Sequence, residues 1–238
     1  MKYSAIDIQK ELRRLADKKT AVHSQRFFKT GKGEYGEGDL FLGIRVPVLR
    51  KTAGKYHDIP LTVSEDLLKS KYHEERLFAL IVLVNQFKKG GSDIQKEIYR
   101  LYLKYTEFIN NWDLVDISAS HIVGAFLQKN NRQPLYDLAA SKDLWERRIS
   151  IIATFYFIRR HEFTDALQIS EILLKDKEDL IHKAVGWMLR EIGKRDLETE
   201  ERFLKKYYLK MPRTMLRYAI EKFEEKKRLG YLKGTIKI

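Results

Sequence analysis

Apolar residues recur at helical spacing almost from end to end, and that periodicity limits the chain to a fold made of helices. In 72–86, Leu77, Leu80, Ile81 and Val84 fall at i, i+3, i+4 and i+7. The same spacing returns in Ile149, Ile152, Ala153 and Tyr156, and again in Leu216, Ala219, Ile220 and Phe223. No segment sustains the alternation of a strand. The four prolines, Pro47, Pro60, Pro134 and Pro212, all stand near the starts of helical segments, where a missing N–H costs nothing. The expectation is an all-α chain.

Overlaying the amphipathic segments exposes a loose repeat. Arg76, Trp112, Arg148, Lys183 and Arg217 occupy equivalent points, spaced 36, 36, 35 and 34 residues apart. Each precedes an apolar helical run, and second helices follow at 93–105, 164–174 and 198–208. Two-helix units of this length build solenoids of the HEAT kind. The expected architecture is one domain over 1–238, a right-handed α-solenoid of HEAT-like two-helix repeats with a concave basic face. A glycine-rich loop interrupts it at about 29–42. Four of the five equivalent positions are cations, and Trp112 is the exception.

The charge balance indicates the partner. The chain carries 46 Lys plus Arg against 33 Asp plus Glu, a net +13. The surplus divides into +6 over residues 1–140 and +7 over 141–238, so it is spread and not gathered in a tail. A distributed basic face suits a duplex phosphate backbone better than a single anionic pocket. There is no cysteine, which excludes disulfides, thiolate catalysis and Cys-based zinc sites. The first residues lack an apolar signal region, and the longest apolar run, 77–84, is far too short to cross a membrane. A cytoplasmic, nucleoid-associated monomer is expected.

Several motifs fall away on inspection. Gly31-Lys32-Gly33-Glu34-Tyr35-Gly36 spells G-x-G-x-x-G, but a helical segment precedes it and Glu37 and Asp39 follow. A dinucleotide fingerprint needs a buried strand before it and few charges near the pyrophosphate. A mobile loop folding back on the first helices is the better reading. The six histidines show neither H-x-x-x-H nor H-x-H spacing, so no metal site is expected. His121 and His182 read as surface or packing residues, and no nucleophile elbow occurs.

What remains is Asn111-Trp112-Asp113-Leu114-Val115-Asp116. Trp112 and Asp116 are four apart and share a helical face. An aromatic beside a carboxylate is a poor core but a good means of stabilising a cation. Arg148, one repeat on, could balance the carboxylate or hold a phosphate with its guanidinium fork. Trp187 lies one turn beyond Lys183, beside Ala184 and Gly186, which would admit a neighbouring helix or a ligand. Trp145 reads as a structural plug.

At these residues the chain resembles the DNA alkylation repair proteins of the AlkD-like, HEAT-repeat DNA glycosylase type. The resemblance runs almost end to end and rests on 35–47, on 112–116, on Leu144-Trp145-Glu146-Arg147-Arg148 and on 179–191. It implies excision of cationic N3- and N7-alkylated purines from duplex DNA by hydrolysis, without a cofactor, without base flipping and without strand cleavage. Carried over, the catalytic carboxylate falls on Asp116, the cleft tryptophans on Trp112 and Trp187, and the cleft arginine on Arg148. DNA contacts are expected from Arg45, Arg76, Arg147, Lys183, Arg190 and Arg217. Phe27-Phe28 and the loop 31–38 have no counterpart in that pattern. The alternatives are a non-catalytic module binding DNA or RNA structure, which would be indifferent to Asp116, and a protein-binding scaffold.

Overall fold

The computed structural model describes residues 3–236, which are helices joined by loops and one isolated bridge, Leu40 to Tyr72. In chain order the α-helices are α1 (Ala5–Arg14), α2 (Lys18–Phe27), α3 (Val46–Ala53), α4 (Leu61–Leu68), α5 (His73–Lys89), α6 (Ser92–Lys104) and α7 (Trp112–Ala119), then α8 (Ala125–Leu127), α9 (Gln133–Ala139), α10 (Leu144–Ala153), α11 (Phe155–Ile158), α12 (Thr164–Ile172), α13 (Asp179–Gly193), α14 (Leu197–Tyr207), α15 (Arg213–Ala219) and α16 (Glu225–Lys233). The second helices expected at 93–105, 164–174 and 198–208 are α6, α12 and α14, displaced by no more than two residues. Pro47 and Pro134 lie in first turns, and Pro60 and Pro212 cap α4 and α15. The all-α, HEAT-like helical-repeat fold expected from the periodicity is the fold observed.

The chain forms two compact units, Met1–Ile122 and Val123–Ile238. In the first, α5 is the central helix, with α3, α4, α6 and α7 packed on it. Leu77 to Val84 are buried without interruption, so α5 is apolar all round where it is enclosed. In the second unit α13 has the same part, contacting α10, α12, α14 and, most extensively, α15.

Gly186 explains how α15 comes so near. A Cβ at this position would stand 2.4 Å from the Met215 carbonyl oxygen and 2.5 Å from the Tyr218 Cβ. The small residue beside Trp187 therefore admits a neighbouring helix. Replacing it with Ala should cost about 1–3 kcal/mol in denaturant unfolding, because backbone must move to accept the methyl. An unchanged midpoint would show that α13 and α15 separate freely.

Helix starts are set by short polar caps. Asp17, Asp143 and Asp196 accept backbone N–H groups at the first turns of α2, α10 and α14. Asn111, fully buried with an extended backbone, accepts the Trp112 N–H at 2.8 Å and starts α7 there. This start revises the repeat register. Arg148, Lys183 and Arg217 are each the fifth residue of their helices, and the fifth residue of α7 is Asp116. Trp112 is the first. The row of cations is thus interrupted by a carboxylate, with the indole one turn before it. After α7 the helix passes into a π-helical turn, Ser120–Gly124.

Candidate functional site

In the first unit, Trp112 and Asp116 share one face of α7, and both are half-buried. Beneath them Tyr102 is fully buried, with its hydroxyl 2.9 Å from Ser118 Oγ, which donates to the Leu114 carbonyl at 2.5 Å. Burial raises the Tyr102 phenol, and the nearby charge of Asp116 adds to the rise while the Ser118 contact opposes it.

Trp112 is not a bare wall. Phe28 stacks on it with ring centroids 5.3 Å apart and planes 22° apart. Phe27, 57% exposed, meets it edge-on at 5.9 Å. Phe28 also stacks on Phe41 at 5.1 Å and lies 5.0 Å from the His73 ring, and Phe41 stacks on His73 at 4.6 Å. The aromatic layer ends on a buried imidazole.

That imidazole joins three segments. His73 Nε2 is 2.8 Å from Asp113 Oδ2, and its Nδ1 is 3.2 Å from Asp39 Oδ2. Burial opposes a charge on His73, but the carboxylates of Asp113 and Asp39 outweigh it and raise the pKa to about 9. Burial likewise opposes ionisation of Asp39, yet the His73 hydrogen bond and the Arg76 charge hold its carboxyl below the usual range. Arg76 donates to Asp39 at 2.5 Å, to Asn110 Oδ1 at 3.1 Å and to the Ser70 carbonyl at 2.9 Å.

The same helix start pins the glycine-rich loop. The buried Glu74 carboxylate accepts N–H groups from Leu42, Gly43 and Ile44 at 2.8, 2.7 and 3.2 Å, and the His73 N–H donates to the Leu40 carbonyl at 2.8 Å. Gly43 has φ +82°, and a Cβ there would stand 2.1 Å from the Asp17 carbonyl oxygen, so glycine is required where the loop returns to α2. The loop does fold back on the first helices as expected. Beyond the glycine-rich stretch, residues 39–44 are tied to α5.

Arg76 also calls for a correction. It is 3% exposed, and its guanidinium holds the loop and the residue before the Asn111 cap, so it is not a phosphate contact. Arg45 is exposed at the start of α3.

In the second unit Arg148 is 5% exposed and donates to the Leu180 carbonyl at 2.5 Å, linking α10 to α13. Trp187 is half-buried, its ring centroid 6.0 Å from that of Phe155, over which the Arg159 guanidinium lies at 4.8 Å. Arg147 is paired with Asp176 at 2.6 Å, Lys183 with Asp179 at 2.7 Å, and Arg190 with Glu221. A phosphate would compete with a carboxylate at each of these. Arg217 is exposed, and Trp145 is buried as a plug would be.

Asp39, His73 and Glu74 were missed by the sequence reading. Their signal was present, since 73–76 is four polar residues placed directly before the most apolar run of the chain. Among the described residues no cluster of His, Asp and Glu is arranged to hold a metal ion. No helix among them is long and apolar enough to cross a membrane.

The fold and the site together define a helical-repeat protein with an aromatic–carboxylate pair on one repeat helix and cations at the matching places of the next three. A sequence model of the family described as DNA alkylation repair enzyme matches residues 8–223, and the chain belongs to that family. Among solved structures it is similar to a predicted DNA alkylation repair enzyme from Enterococcus faecalis, with TM-score 0.68 and 15% identity over 88% of this chain and 97% of that one. It is also similar to AlkD2 from Streptococcus mutans (TM-score 0.55, 17% identity, 87% and 99% covered) and to smu.31 from Streptococcus mutans UA159 (TM-score 0.55, 19% identity, 76% and 93% covered). At these identities the likeness is one of fold. None of the curated proteins compared matches the chain.

Proposed function

We propose that this protein is a monofunctional DNA glycosylase that hydrolyses the N-glycosidic bond of cationic N3- or N7-alkylated purines in duplex DNA. The observation that carries the reading is Asp116, a half-buried carboxylate one turn from Trp112, at the helix position where Arg148, Lys183 and Arg217 stand in other repeats. A carboxylate in an otherwise cationic row is suited to stabilising positive charge, not to holding a phosphate.

An alkylated purine is already a cation, so it departs with the glycosidic electron pair as a neutral base and needs no general acid. Positive charge then develops on the deoxyribose, and Asp116 stabilises it electrostatically. Water adds at C1′ and loses its proton, leaving an abasic site. Trp112, through the face not covered by Phe28, and Trp187 would offer π surfaces to the cationic nucleotide, worth about 1–2 kcal/mol each when desolvated. Arg148 would orient Asp116 or hold the backbone, and Arg45, Lys183 and Arg217 would add contacts outside the lesion. The lesion stays stacked in this reading, and no lysine is assigned as a Schiff-base nucleophile. The protein would work as a monomer, without a cofactor, on the nucleoid.

The test is base release from a duplex containing N7-methylguanine. Free N7-methylguanine should appear well above the spontaneous rate, with the strand intact until alkali cleaves the abasic site. Tight duplex binding with no release would overturn the assignment in favour of a non-catalytic binding module.

A further inference from the structure

The first unit contains a cleft of about 280 Å³ that none of the roles above uses. Three helical segments line it: Arg50 from α3, then Ile81, Val84, Asn85 and Lys88 from α5, then Ile117 and His121 from the end of α7 and the π-helical turn. The α5 residues fall at i, i+3, i+4 and i+7, so one helix face supplies both the floor and a cation. Ile81 and Val84 are 8% and 6% exposed, which makes the floor apolar, while Arg50 and Lys88 are exposed at the rim.

The electrostatics of this cleft differ from those around Arg76, Arg147 and Arg190. Each of those arginines faces a carboxylate of its own unit. Among the described residues neither Arg50 nor Lys88 is in an ion pair. The surrounding segments carry no acid at all: none occurs in 46–53, in 76–89 or in 117–124. Cations without carboxylate partners, beside low-dielectric walls, concentrate anions. Ile117, which lines the cleft, directly follows Asp116 on α7 and so stands about 100° around the helix from it.

We infer that this cleft is a phosphate site, seating one backbone phosphodiester of the DNA strand whose sugar faces Asp116. Arg50 and Lys88 supply the charge, Asn85 and His121 supply polar atoms, and Ile81 and Val84 receive the C–H face of the adjoining deoxyribose. The inference rests on DNA being the substrate, but not on Asp116 being catalytic. A phosphate with a sugar attached could also come from a free nucleotide, and the experiment separates the two sources.

Duplex affinity would be measured across a salt series for wild type, for Arg50→Gln with Lys88→Gln, and for Lys89→Gln, an exposed lysine outside the cleft. The double variant should bind unmodified duplex about five- to ten-fold more weakly near 0.1 M salt. Its slope of log K against log salt should be shallower by about 1, the loss of roughly one phosphate contact. Lys89→Gln should bind as wild type does. A parallel titration with deoxyguanosine 5′-monophosphate should show no saturable binding that depends on Arg50 and Lys88.

Wild-type affinity and slope in the double variant would overturn the inference while leaving the glycosylase reading intact. So would an equal loss in Lys89→Gln, which would mark a general charge effect, or nucleotide binding abolished by the variant with duplex binding unchanged. Wild type binding duplex steeply with salt yet releasing no base would sink the glycosylase reading and leave the phosphate site standing. Wild type failing to bind duplex would end both.

Discussion

Asp116→Asn is expected to lower the rate of base release by about 100- to 1000-fold, the scale of losing one preorganised electrostatic group at a developing charge. The substitution keeps the size and shape of the side chain and removes only its negative charge. It should leave duplex affinity within a factor of about two, because a carboxylate contributes nothing favourable to phosphate binding. The measurement is single-turnover release of N7-methylguanine at saturating enzyme, with affinity determined separately on unmodified duplex. Full activity in Asp116→Asn would show that the sugar cation is stabilised elsewhere. A loss of rate matched by loss of the folded state would point instead to the packing of α7 over Tyr102, and circular dichroism distinguishes that outcome.

His73→Ala is expected to be the most destabilising change near the site, by about 3–5 kcal/mol at pH 6.5, since it leaves the carboxylates of Asp39 and Asp113 in the interior without their shared partner. The pH dependence follows from the raised pKa. In the unfolded chain His73 titrates at its ordinary value near 6.5, and in the folded protein at about 9. Between these values the folded state holds the proton and the unfolded state does not, so stability falls as pH rises. The contribution is complete below about 6.5 and is lost as pH passes through 9. The gap between wild type and His73→Ala should therefore shrink by about 2–3 kcal/mol from pH 6.5 to pH 9 in urea unfolding. A gap that stays constant or widens with pH would show that His73 is neutral in the folded protein. The variant should also alter Trp112 fluorescence, because the imidazole underlies the Phe41 and Phe28 rings that meet the indole.

The two substitutions separate chemistry from architecture: Asp116 is on α7, and His73, on α5, holds the neighbouring Asp113 of α7. Asp113 and Asp116 lie three apart on the same helix, yet Asp113 bonds the buried imidazole while Asp116 lies beside Trp112 and over Tyr102. In the proposed mechanism only the second meets the substrate.

Helix content, the positions of the second helices and the location of every proline were legible in the chain, because apolar periodicity and the missing proline N–H act over one or two turns. The pairing of Trp112 with Asp116 was legible for the same reason: a spacing of four on a helix is a local fact. The repeat itself could be read, but its register slipped at α7. Alignment by residue type put Trp112 beside the cations, whereas the Asn111 cap starts the helix late and gives that place to Asp116. The role of Arg76 was misread because charge in a sequence carries no information about which carboxylate faces it. Asp39 is 37 residues away and reaches Arg76 only when the loop closes.

By itself, then, the sequence determined a basic all-α chain of two-helix repeats and singled out one carboxylate on a tryptophan's face. These properties arise from side chains within a few residues of one another. Tertiary structure alone decided that the glycine-rich loop is clasped by Glu74, that His73 joins Asp39 to Asp113, and that Phe28 covers one side of Trp112. Each of those contacts links residues 30 to 84 positions apart, and its energy comes from burial and charge pairing that exist only once α2, α5 and α7 have packed together.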